Sequence, residues 1–276
     1  MAVELPRMPR TLLTGATGRL GQALRPRLRD AGHDVVPASR SPPDDGDFEW
    51  VTLDLADGTG IEAAVADADV VVHAATAPTG DHEAVDVRGT ERLLDTAVDA
   101  GVSHFVYVSI VGIGEIPYSY YRHKLAAERA VASSDAPWTV VRATQFHGFV
   151  DDFLRSVARL PVWPLPTAFR VQPVDVREVA AAVVDRADGE AAGRAPVVGG
   201  PEVLTGGELA RAYREARGLR RPIVRVPIPG DTAAAFRAGR ATCPDRTVGT
   251  VTWEEWLTER YGTGDVTASN TAGSAV

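Results

Sequence analysis

Tyr120 and Lys124 form a Tyr-x-x-x-Lys pattern, which places a phenol and an ammonium group one turn apart on the same helix face. Tyrosine is one of the side chains that transfer protons in enzymes. The lysine stands out because 28 of the 29 basic residues are arginines and Lys124 is the remaining one. This pair is therefore the first place in the sequence where side-chain chemistry is expected.

A glycine-rich segment forms a second candidate site. Residues 14–21 read TGATGRLG, directly after a predicted strand and at the start of a predicted helix. Gly15 allows a tight turn, Gly18 lets the backbone approach a pyrophosphate, and Gly21 lets the helix pack close to the strand. The free N–H groups and the positive end of the helix would attract the negative ligand. The residues predicted to contact a dinucleotide here are Gly15, Thr17, Gly18, Arg19, Leu20 and Gly21.

The elements that must position these residues alternate between strand and helix. Apolar, β-branched runs such as 70–72 (VVV) and 106–108 (VYV) are typical of parallel strands that are buried on both faces. We therefore predict an α/β fold with a doubly wound (Rossmann) parallel sheet and a small C-terminal substrate-capping part. The predicted strands are 10–14, 34–39, 50–53, 69–73, 104–109 and 138–141, and Asp86 is predicted to start a helix that ends before Gly101.

The domain organisation follows from changes of pattern along the chain. After about residue 142 the strand–helix alternation loosens and prolines become frequent. We predict an N-terminal tail at 1–9, an NAD(P)-binding domain at 10–145, and a smaller capping region at 146–261 packed on the same sheet. Residues 262–276 are rich in threonine, serine, glycine and alanine without periodicity, which predicts a disordered tail.

Further segments resemble one superfamily. The glycine spacing, together with 87–90 (VRGT), 105–109 (FVYVS), 138–142 (WTVVR) and 172–176 (QPVDV), is similar to the short-chain dehydrogenase/reductase superfamily in its atypical, NmrA-like branch. The resemblance covers residues 10–260 and implies a nicotinamide dinucleotide cofactor. It also implies that Asp54 and Leu55 hold the adenine. The residues that it places on the ribose side of the cofactor are Ala74, Ala75 and Thr76.

The resemblance assigns roles to three residues of the reaction. Lys124 would bind the nicotinamide ribose and lower the pKa of the phenol, so that Tyr120 protonates a carbonyl oxygen as hydride arrives. Ser109, at the end of the fifth strand, would orient that carbonyl. The distance from Ser109 to Tyr120 is eleven positions, about two fewer than in the ordinary dehydrogenases of the superfamily.

Residues at the end of the second strand predict which nicotinamide dinucleotide is preferred. An acidic residue there would bind the ribose diol of NAD and repel a 2′-phosphate. This chain instead has Ser39 and Arg40, a hydroxyl and a guanidinium suited to a phosphate, and Arg19 could approach the same group. We therefore expect NADP(H) to be preferred over NAD(H).

A small-molecule substrate is expected beyond the ends of the strands, where doubly wound sheets bind their ligands. Aromatic residues follow the sixth strand and would suit a flat, apolar or aromatic carbonyl compound or quinone. The same positions are also compatible with ordinary packing of the capping region. The predicted substrate contacts are Gln145, Phe146, His147 and Phe149.

Composition excludes several classes of protein. The net charge of −8 provides no basic surface for phosphate neutralisation, so nucleic acid is not an expected partner. The chain has no apolar run long enough for a membrane span, and the single cysteine, Cys243, cannot form an intramolecular disulfide. No Cys/His spacing resembles a metal site. We expect a cytoplasmic protein without metal that could form a homodimer.

Three functions are compatible with these patterns. The leading hypothesis is an NADPH-dependent oxidoreductase that transfers hydride to a small carbonyl, quinone or conjugated acceptor. The second is an NmrA-like redox sensor that binds the dinucleotide without turnover, which the short Ser109 spacing leaves open. The third is a nucleotide-sugar epimerase or dehydratase, although the chain after residue 142 is short for a nucleotide-sugar cap.

Overall fold

The computed structural model describes residues 7–77 and 80–262. The predicted disordered tail therefore lies outside the described residues, apart from Gly262, and so do the first six residues of the predicted N-terminal tail. The strands are β1 (Arg10–Thr14), β2 (Asp34–Ser39), β3 (Val51–Thr52), β4 (Val70–His73), β5 (His104–Ile110), β6 (Trp138–Ala143), β7 (Trp163–Leu165), β8 (Arg170–Val171), β9 (Gly193–Arg194), β10 (Leu204–Thr205) and β11 (Ile223–Arg225).

The α-helices lie between these strands and after the last of them. They are α1 (Arg19–Asp30), α2 (Ile61–Val65), α3 (Gly89–Asp99), α4 (Ser119–Ala132), α5 (His147–Val157), α6 (Val176–Ala187), α7 (Gly206–Ala216), α8 (Asp231–Arg237) and α9 (Trp253–Tyr261). A π-helical turn, Glu83–Arg88, leads directly into α3. None of the helices within 7–77 and 80–262 is long and apolar enough to cross a bilayer.

The chain divides into two compact units, and the first contains Met1–Ala143 and Val176–Val198. Among its described residues is a seven-stranded sheet in the order β3-β2-β1-β4-β5-β6-β9, with every neighbouring pair parallel. The apolar run of β4 is buried along its whole length, as expected for a strand with helices over both faces. The predicted doubly wound α/β fold is confirmed, and its strand order reverses between β1 and β4, where such sheets bind ligands.

The second unit contains Thr144–Asp175 and Gly199–Val276. Among its described residues, β7 pairs with β11 in parallel and β8 pairs with β10 in antiparallel orientation. Its core includes Trp163, Tyr213 and Trp253, all essentially inaccessible to solvent. Thr205 and Thr252 form capping boxes with Glu208 and Glu255 at the starts of α7 and α9, as their sequence spacing predicts.

Two features of the first unit differ from the sequence prediction. Residues 176–198 were expected in the capping region, but α6 packs on α1 and β9 extends the main sheet beside β6. The prediction that Asp86 starts a helix was wrong, because the π-helical turn begins earlier at Glu83. The carboxylate of Asp86 is buried and binds the chain after β4 instead of capping a helix.

Candidate functional site

The glycine loop between β1 and α1 is folded too tightly for any side chain at two of its positions. Gly15 has a φ of +70°, and a Cβ there would lie 2.6 Å from the backbone nitrogen of Ala75. A Cβ on Gly21 would lie 2.2 Å from the carbonyl oxygen of Gly15. The turn therefore packs directly against the chain that leaves β4, and α1 packs directly against the turn.

The N-terminus of α1 is suited to an anionic ligand. Gly18 precedes the helix in an extended conformation, provides no side-chain cap, and no acidic residue lies in the first turn. Thr17 and Arg19 are exposed, whereas Leu20 is buried in the core. Because the amide groups of a helix start attract phosphate, the residues present fit the pyrophosphate of a dinucleotide.

The other predicted cofactor residues lie at the ends of β2 and β3. Arg40 is exposed, and the hydroxyl of Ser39 interacts with the backbone of Ser41. The carboxylate of Asp54 accepts a hydrogen bond from the amide of Ala56 at 2.8 Å, which shapes the turn after β3. Leu55 is buried against Gly89, where a Cβ would come within 2.7 Å of the leucine side chain.

Lys124 lies inside the protein, with only 3% of its surface exposed. Its ammonium donates a hydrogen bond to the carbonyl oxygen of Val108 at 3.0 Å and lies 4.3 Å from the ring centre of Tyr107. Burial lowers the pKa of Lys124 to about 8, although the charges of Asp86 and Glu128 act to raise it. Among the described residues this ammonium makes a single hydrogen bond, which leaves N–H groups available for ligand hydroxyls.

Two uncharged rings, those of His73 and Tyr107, lie near this amine. Burial lowers the pKa of His73 to about 3, and the positive charge of Lys124 adds to the effect. The imidazole of His73 is held between the hydroxyls of Thr14 at 2.6 Å and Thr90 at 2.9 Å. The hydroxyl of Tyr107 is buried without a hydrogen-bond partner among the described residues, and burial raises its pKa well above the usual value.

Tyr120 is held at the carboxyl end of the sheet by Thr76. Its hydroxyl lies 2.8 Å from the hydroxyl of Thr76, which in turn donates to Asp86 at 2.6 Å. The ring packs against His82 and Tyr121, with centroids 5.5 and 5.9 Å away. The pKa of Tyr120 is raised well above the usual value of a phenol by burial and by the charge of Asp86, the opposite of the lowering expected from Lys124.

Ser109 is not placed as the sequence predicts. Its hydroxyl is buried and donates to Glu128 at 2.6 Å, and Glu128 also binds the guanidinium of Arg142 at 2.5 Å. Burial alone would raise the pKa of Glu128, but the hydrogen bonds from Arg142 and Ser109 outweigh it and lower the pKa. The serine therefore belongs to a buried ion-pair cluster, and Thr76 supplies the hydroxyl beside the phenol.

The predicted substrate residues lie at the start of α5 in the second unit. Phe149 is 62% exposed, and the side-chain amide of Gln145 is buried without a hydrogen-bond partner among the described residues. Phe146 is half-buried and precedes α5. His147 is buried between Trp253 and Trp256, with ring centroids 5.7 and 5.8 Å away, so its placement indicates packing rather than substrate contact.

Three residues of the site were missed by the sequence analysis: Asp86, His82 and Glu128. His82 stacks on His123 and packs on Tyr120, and its Nδ1 lies 4.0 Å from Asp86. Asp86 stands directly before the VRGT segment, where the sequence predicts a helix start. Glu128 lies one helical turn after Lys124, the spacing at which two side chains share a helix face.

The family is established by sequence comparison. A family model described as NAD(P)H-binding matches residues 15–188, which include the glycine loop, Thr76, Tyr120 and Lys124. The chain belongs to this NAD(P)H-binding family. The match confirms the predicted class of cofactor, a nicotinamide dinucleotide, and agrees with the resemblance to atypical short-chain dehydrogenases/reductases.

Proteins of similar sequence include a reductase. A (4-alkanoyl-5-oxo-2,5-dihydrofuran-3-yl)methyl phosphate reductase from Streptomyces griseus is 33% identical over 220 residues, which are 77% of this chain and 74% of the relative. An uncharacterized protein from Mycobacterium tuberculosis is 31% identical over 168 residues, or 60% of this chain. The matched part is only 18% of the length of that mycobacterial relative.

Solved structures show the same fold. An NADPH-dependent quinone oxidoreductase from Escherichia coli, complexed with NADPH, has a TM-score of 0.77 at 15% identity, covering 91% of this chain and 99% of that one. A short-chain dehydrogenase/reductase superfamily protein from Agrobacterium tumefaciens, with bound NAD, has a TM-score of 0.71 at 22% identity. The match covers 91% of this chain and 95% of the Agrobacterium chain.

Proposed function

We propose that this protein is an NADPH-dependent oxidoreductase that reduces a small carbonyl, quinone or conjugated acceptor. The observation that carries the proposal is the placement of Tyr120 and Lys124 on α4. The phenol meets Thr76 just beyond β4, and the ammonium meets Val108 near the end of β5. Both groups are thus held at the carboxyl edge of the parallel sheet, where this fold binds its ligands.

Different residues of the first unit would bind different parts of the dinucleotide. The glycine loop and the first turn of α1 would bind the pyrophosphate, and Asp54 and Leu55 would border the adenine. Lys124 would donate hydrogen bonds to the hydroxyls of the nicotinamide ribose from its buried ammonium. Ala74 and Ala75 would line the ribose side, because the chain there already packs against Gly15.

The proposed reaction needs one proton from the protein. NADPH, when bound, supplies a hydride, which is a proton and two electrons, to the acceptor. The phenol O–H of Tyr120 breaks, its proton goes to the reduced oxygen, and the phenolate recovers a proton from solvent. Thr76 holds the phenol in place during this exchange. A phenol whose pKa lies above its usual range remains protonated, and therefore ready to donate, throughout the neutral range.

Preference for NADPH is proposed to rest on Arg40, with Ser39 and Arg19 beside it. Charge-assisted hydrogen bonds contribute about 1.5 to 3 kcal/mol. Arg40→Ala should therefore weaken NADPH binding by roughly 10- to 100-fold and leave NADH binding nearly unchanged, as measured by fluorescence titration. Arg220→Ala, which removes an exposed arginine of the second unit, is the matched control. If Arg40→Ala weakened the binding of NADPH and NADH equally, or weakened neither, Arg40 would not be the source of the NADPH preference.

The acceptor is proposed to be small and largely apolar. Gln145 carries an amide whose oxygen and nitrogen are both buried without partners among the described residues, and native proteins rarely leave such groups unpaired. Phe149 offers an exposed ring in the first turn of α5. The Streptomyces relative is by its name a reductase of an unsaturated lactone that carries a methyl phosphate, and the lactone ring is a conjugated acceptor. A conjugated carbonyl compound would suit an amide and an aromatic ring as partners.

The test is to mix the purified protein with NADPH and a panel of quinones, aldehydes, ketones and unsaturated lactones while following the absorbance of the reduced nicotinamide. We expect oxidation of NADPH by at least one acceptor class, and a much slower rate with NADH. Tight binding of NADPH without oxidation by any acceptor would contradict the proposal.

A redox sensor is the second candidate function. The observation that favours it is the commitment of Ser109 to Glu128, which leaves the site without its predicted carbonyl-orienting serine. A sensor would bind the dinucleotide and signal to a partner without consuming it. The same acceptor panel separates the two functions, because only the oxidoreductase depletes NADPH.

A further inference from the structure

The phenol of Tyr120 ends a chain of hydrogen bonds that leads to a buried carboxylate. Its hydroxyl lies 2.8 Å from the hydroxyl of Thr76, and Thr76 donates its proton to Asp86 at 2.6 Å. The other oxygen of Asp86 accepts the amide proton of Ala77 at 3.2 Å. Asp86 is only 2% exposed, whereas Thr76 is exposed and Tyr120 is half-buried, so these hydrogen bonds lead from the surface of the first unit to a buried carboxylate.

The hydrogen bonds from Tyr120 through Thr76 to Asp86 have a defined donor-to-acceptor direction. A hydroxyl has one proton to donate, and Thr76 gives its proton to Asp86. The oxygen of Thr76 can therefore only accept from the phenol, so the phenolic proton points toward Thr76. A hydrogen bond of this direction is present only while the phenol is protonated, and thus stabilises the protonated form.

We propose that Thr76 and Asp86 are positioning residues that fix the direction of the phenolic O–H of Tyr120 and stabilise the phenol against ionisation. The proposal rests on the proposed function, in which this phenol gives its proton to the reduced oxygen.

Asp86, Tyr121 and Tyr118 raise the pKa of Tyr120 in the same sense as burial, whereas a hydrogen bond donated by Thr76 would lower it. Asp86 faces Tyr120 from the π-helical turn, Tyr107 lies on β5, and Tyr118 and Tyr121 flank it along its own chain. His82 packs on its ring, and Lys124, one turn along α4, is bound to Val108. Burial and the negative charge of Asp86 both raise the pKa of Tyr120, because a second negative charge nearby is unfavourable.

Asp86→Asn should reverse the donor-to-acceptor direction of these hydrogen bonds. The amide of Ala77 needs an acceptor, so the carboxamide oxygen of the new side chain would face Ala77 and its NH₂ group would face Thr76. The NH₂ group would then donate to Thr76 and release the threonine proton toward the phenol. Loss of the negative charge and gain of a donor both favour the phenolate, so the pKa of Tyr120 should fall.

The experiment is a spectroscopic pH titration of the protein without dinucleotide or acceptor. The ultraviolet absorbance of ionised tyrosine is followed, and the Tyr120→Phe curve in each background is subtracted to isolate Tyr120. We expect Asp86→Asn to shift ionisation of Tyr120 to lower pH by about one to two units. Glu83→Gln, an exposed acid on the same turn that pairs with Arg88, is the charge-matched control and should leave the curve in place.

A second variant tests the direction of the hydrogen bond. If Thr76 accepts from the phenol, Thr76→Val removes a partner of the protonated form and lowers the pKa of Tyr120, while Thr76→Ser preserves it. A higher pKa in Thr76→Val would show that threonine donates to the phenolate and would overturn the proposal. An unchanged curve in a folded Asp86→Asn protein would also overturn it. If Asp86→Asn does not fold, as judged by circular dichroism, Thr76→Val decides alone.

The titration tests the hydrogen-bond assignment and the acceptor panel tests the proposed function, so either can be contradicted without the other. A protein that oxidises NADPH but shows no shift in Asp86→Asn is a reductase without the proposed control of the phenol. A protein that shows the shift but reduces no acceptor retains the hydrogen-bond assignment and loses the proposed function.

Discussion

Replacing Lys124 with methionine should weaken NADPH binding by roughly 10- to 100-fold and make the folded protein more stable at the same time. The binding loss follows from the removal of a charged donor proposed to bind the ribose hydroxyls. Methionine keeps an unbranched side chain in the space that Lys124 fills against Tyr107 and Val108. Isothermal titration calorimetry measures the first effect, and urea unfolding measures the second.

The gain in stability follows from the environment of the ammonium. Burial lowers the pKa of Lys124 to about 8, whereas an unfolded chain gives lysine a pKa of about 10.4. Holding the charge inside the folded protein thus costs on the order of 2 to 4 kcal/mol below pH 8. Methionine removes that cost, and the free energy of unfolding should rise by a similar order of magnitude.

The effect should depend on pH with a definite sign. Between pH 8 and about pH 10.4 the unfolded wild-type chain binds more protons at Lys124 than the folded one, so this residue makes wild-type stability rise with pH. The variant lacks this contribution. Its advantage should be largest below pH 8 and should shrink toward pH 10. Arg129→Met, an exposed cation on the same helix, should show neither effect.

Two results would contradict this account. Normal NADPH binding by Lys124→Met would show that Lys124 does not hold the dinucleotide, whatever happens to stability. A loss of stability below pH 8 would show that the ammonium is a structural cation in this site. If both predictions hold, the protein retains its only lysine at a cost in stability, which is the pattern expected of a functional residue.

The fold could be predicted from sequence because its signals are local. Strands buried on both faces need continuous apolar runs, and the turn between β1 and α1 needs glycine where a Cβ would meet backbone atoms. The assignment of residues 176–198 failed for the opposite reason. An amphipathic helix such as α6 shows that one face is buried but not which partner covers it, and β9 is only two residues long.

The site could be predicted only in part, for related physical reasons. Tyr120 and Lys124 are four residues apart, so helix geometry alone brings them together. Ser109 meets Glu128 across 19 residues of chain, and Tyr120 meets Thr76 across 44 residues. These tertiary contacts replace the expected serine with a threonine beside the phenol. Asp86 lies in the irregular π-helical turn and its side chain is directed inward to Thr76. At a regular helix start it would have been an exposed cap.

Replacing Tyr120 with phenylalanine should lower kcat for the reduction by about 10²- to 10⁴-fold, the range typical of a lost general acid. The dissociation constant of NADPH should change little, because the phenyl ring can keep its packing on His82 and Tyr121. Only the hydroxyl that meets Thr76 is removed. Steady-state kinetics with the best acceptor of the panel, together with direct binding of NADPH, separate the two quantities.

The matched control for this variant is Tyr118→Phe. Tyr118 is 47% exposed and packs edge-on against Tyr120, so its substitution tests whether any change in the tyrosine cluster slows the reaction. A kcat near that of the wild type in Tyr120→Phe would assign the proton to another donor, and a loss in both variants would indicate a packing effect. A selective loss of kcat in Tyr120→Phe, with unchanged NADPH binding, requires that the phenolic O–H takes part in turnover, and a dinucleotide-binding sensor has no use for such a proton.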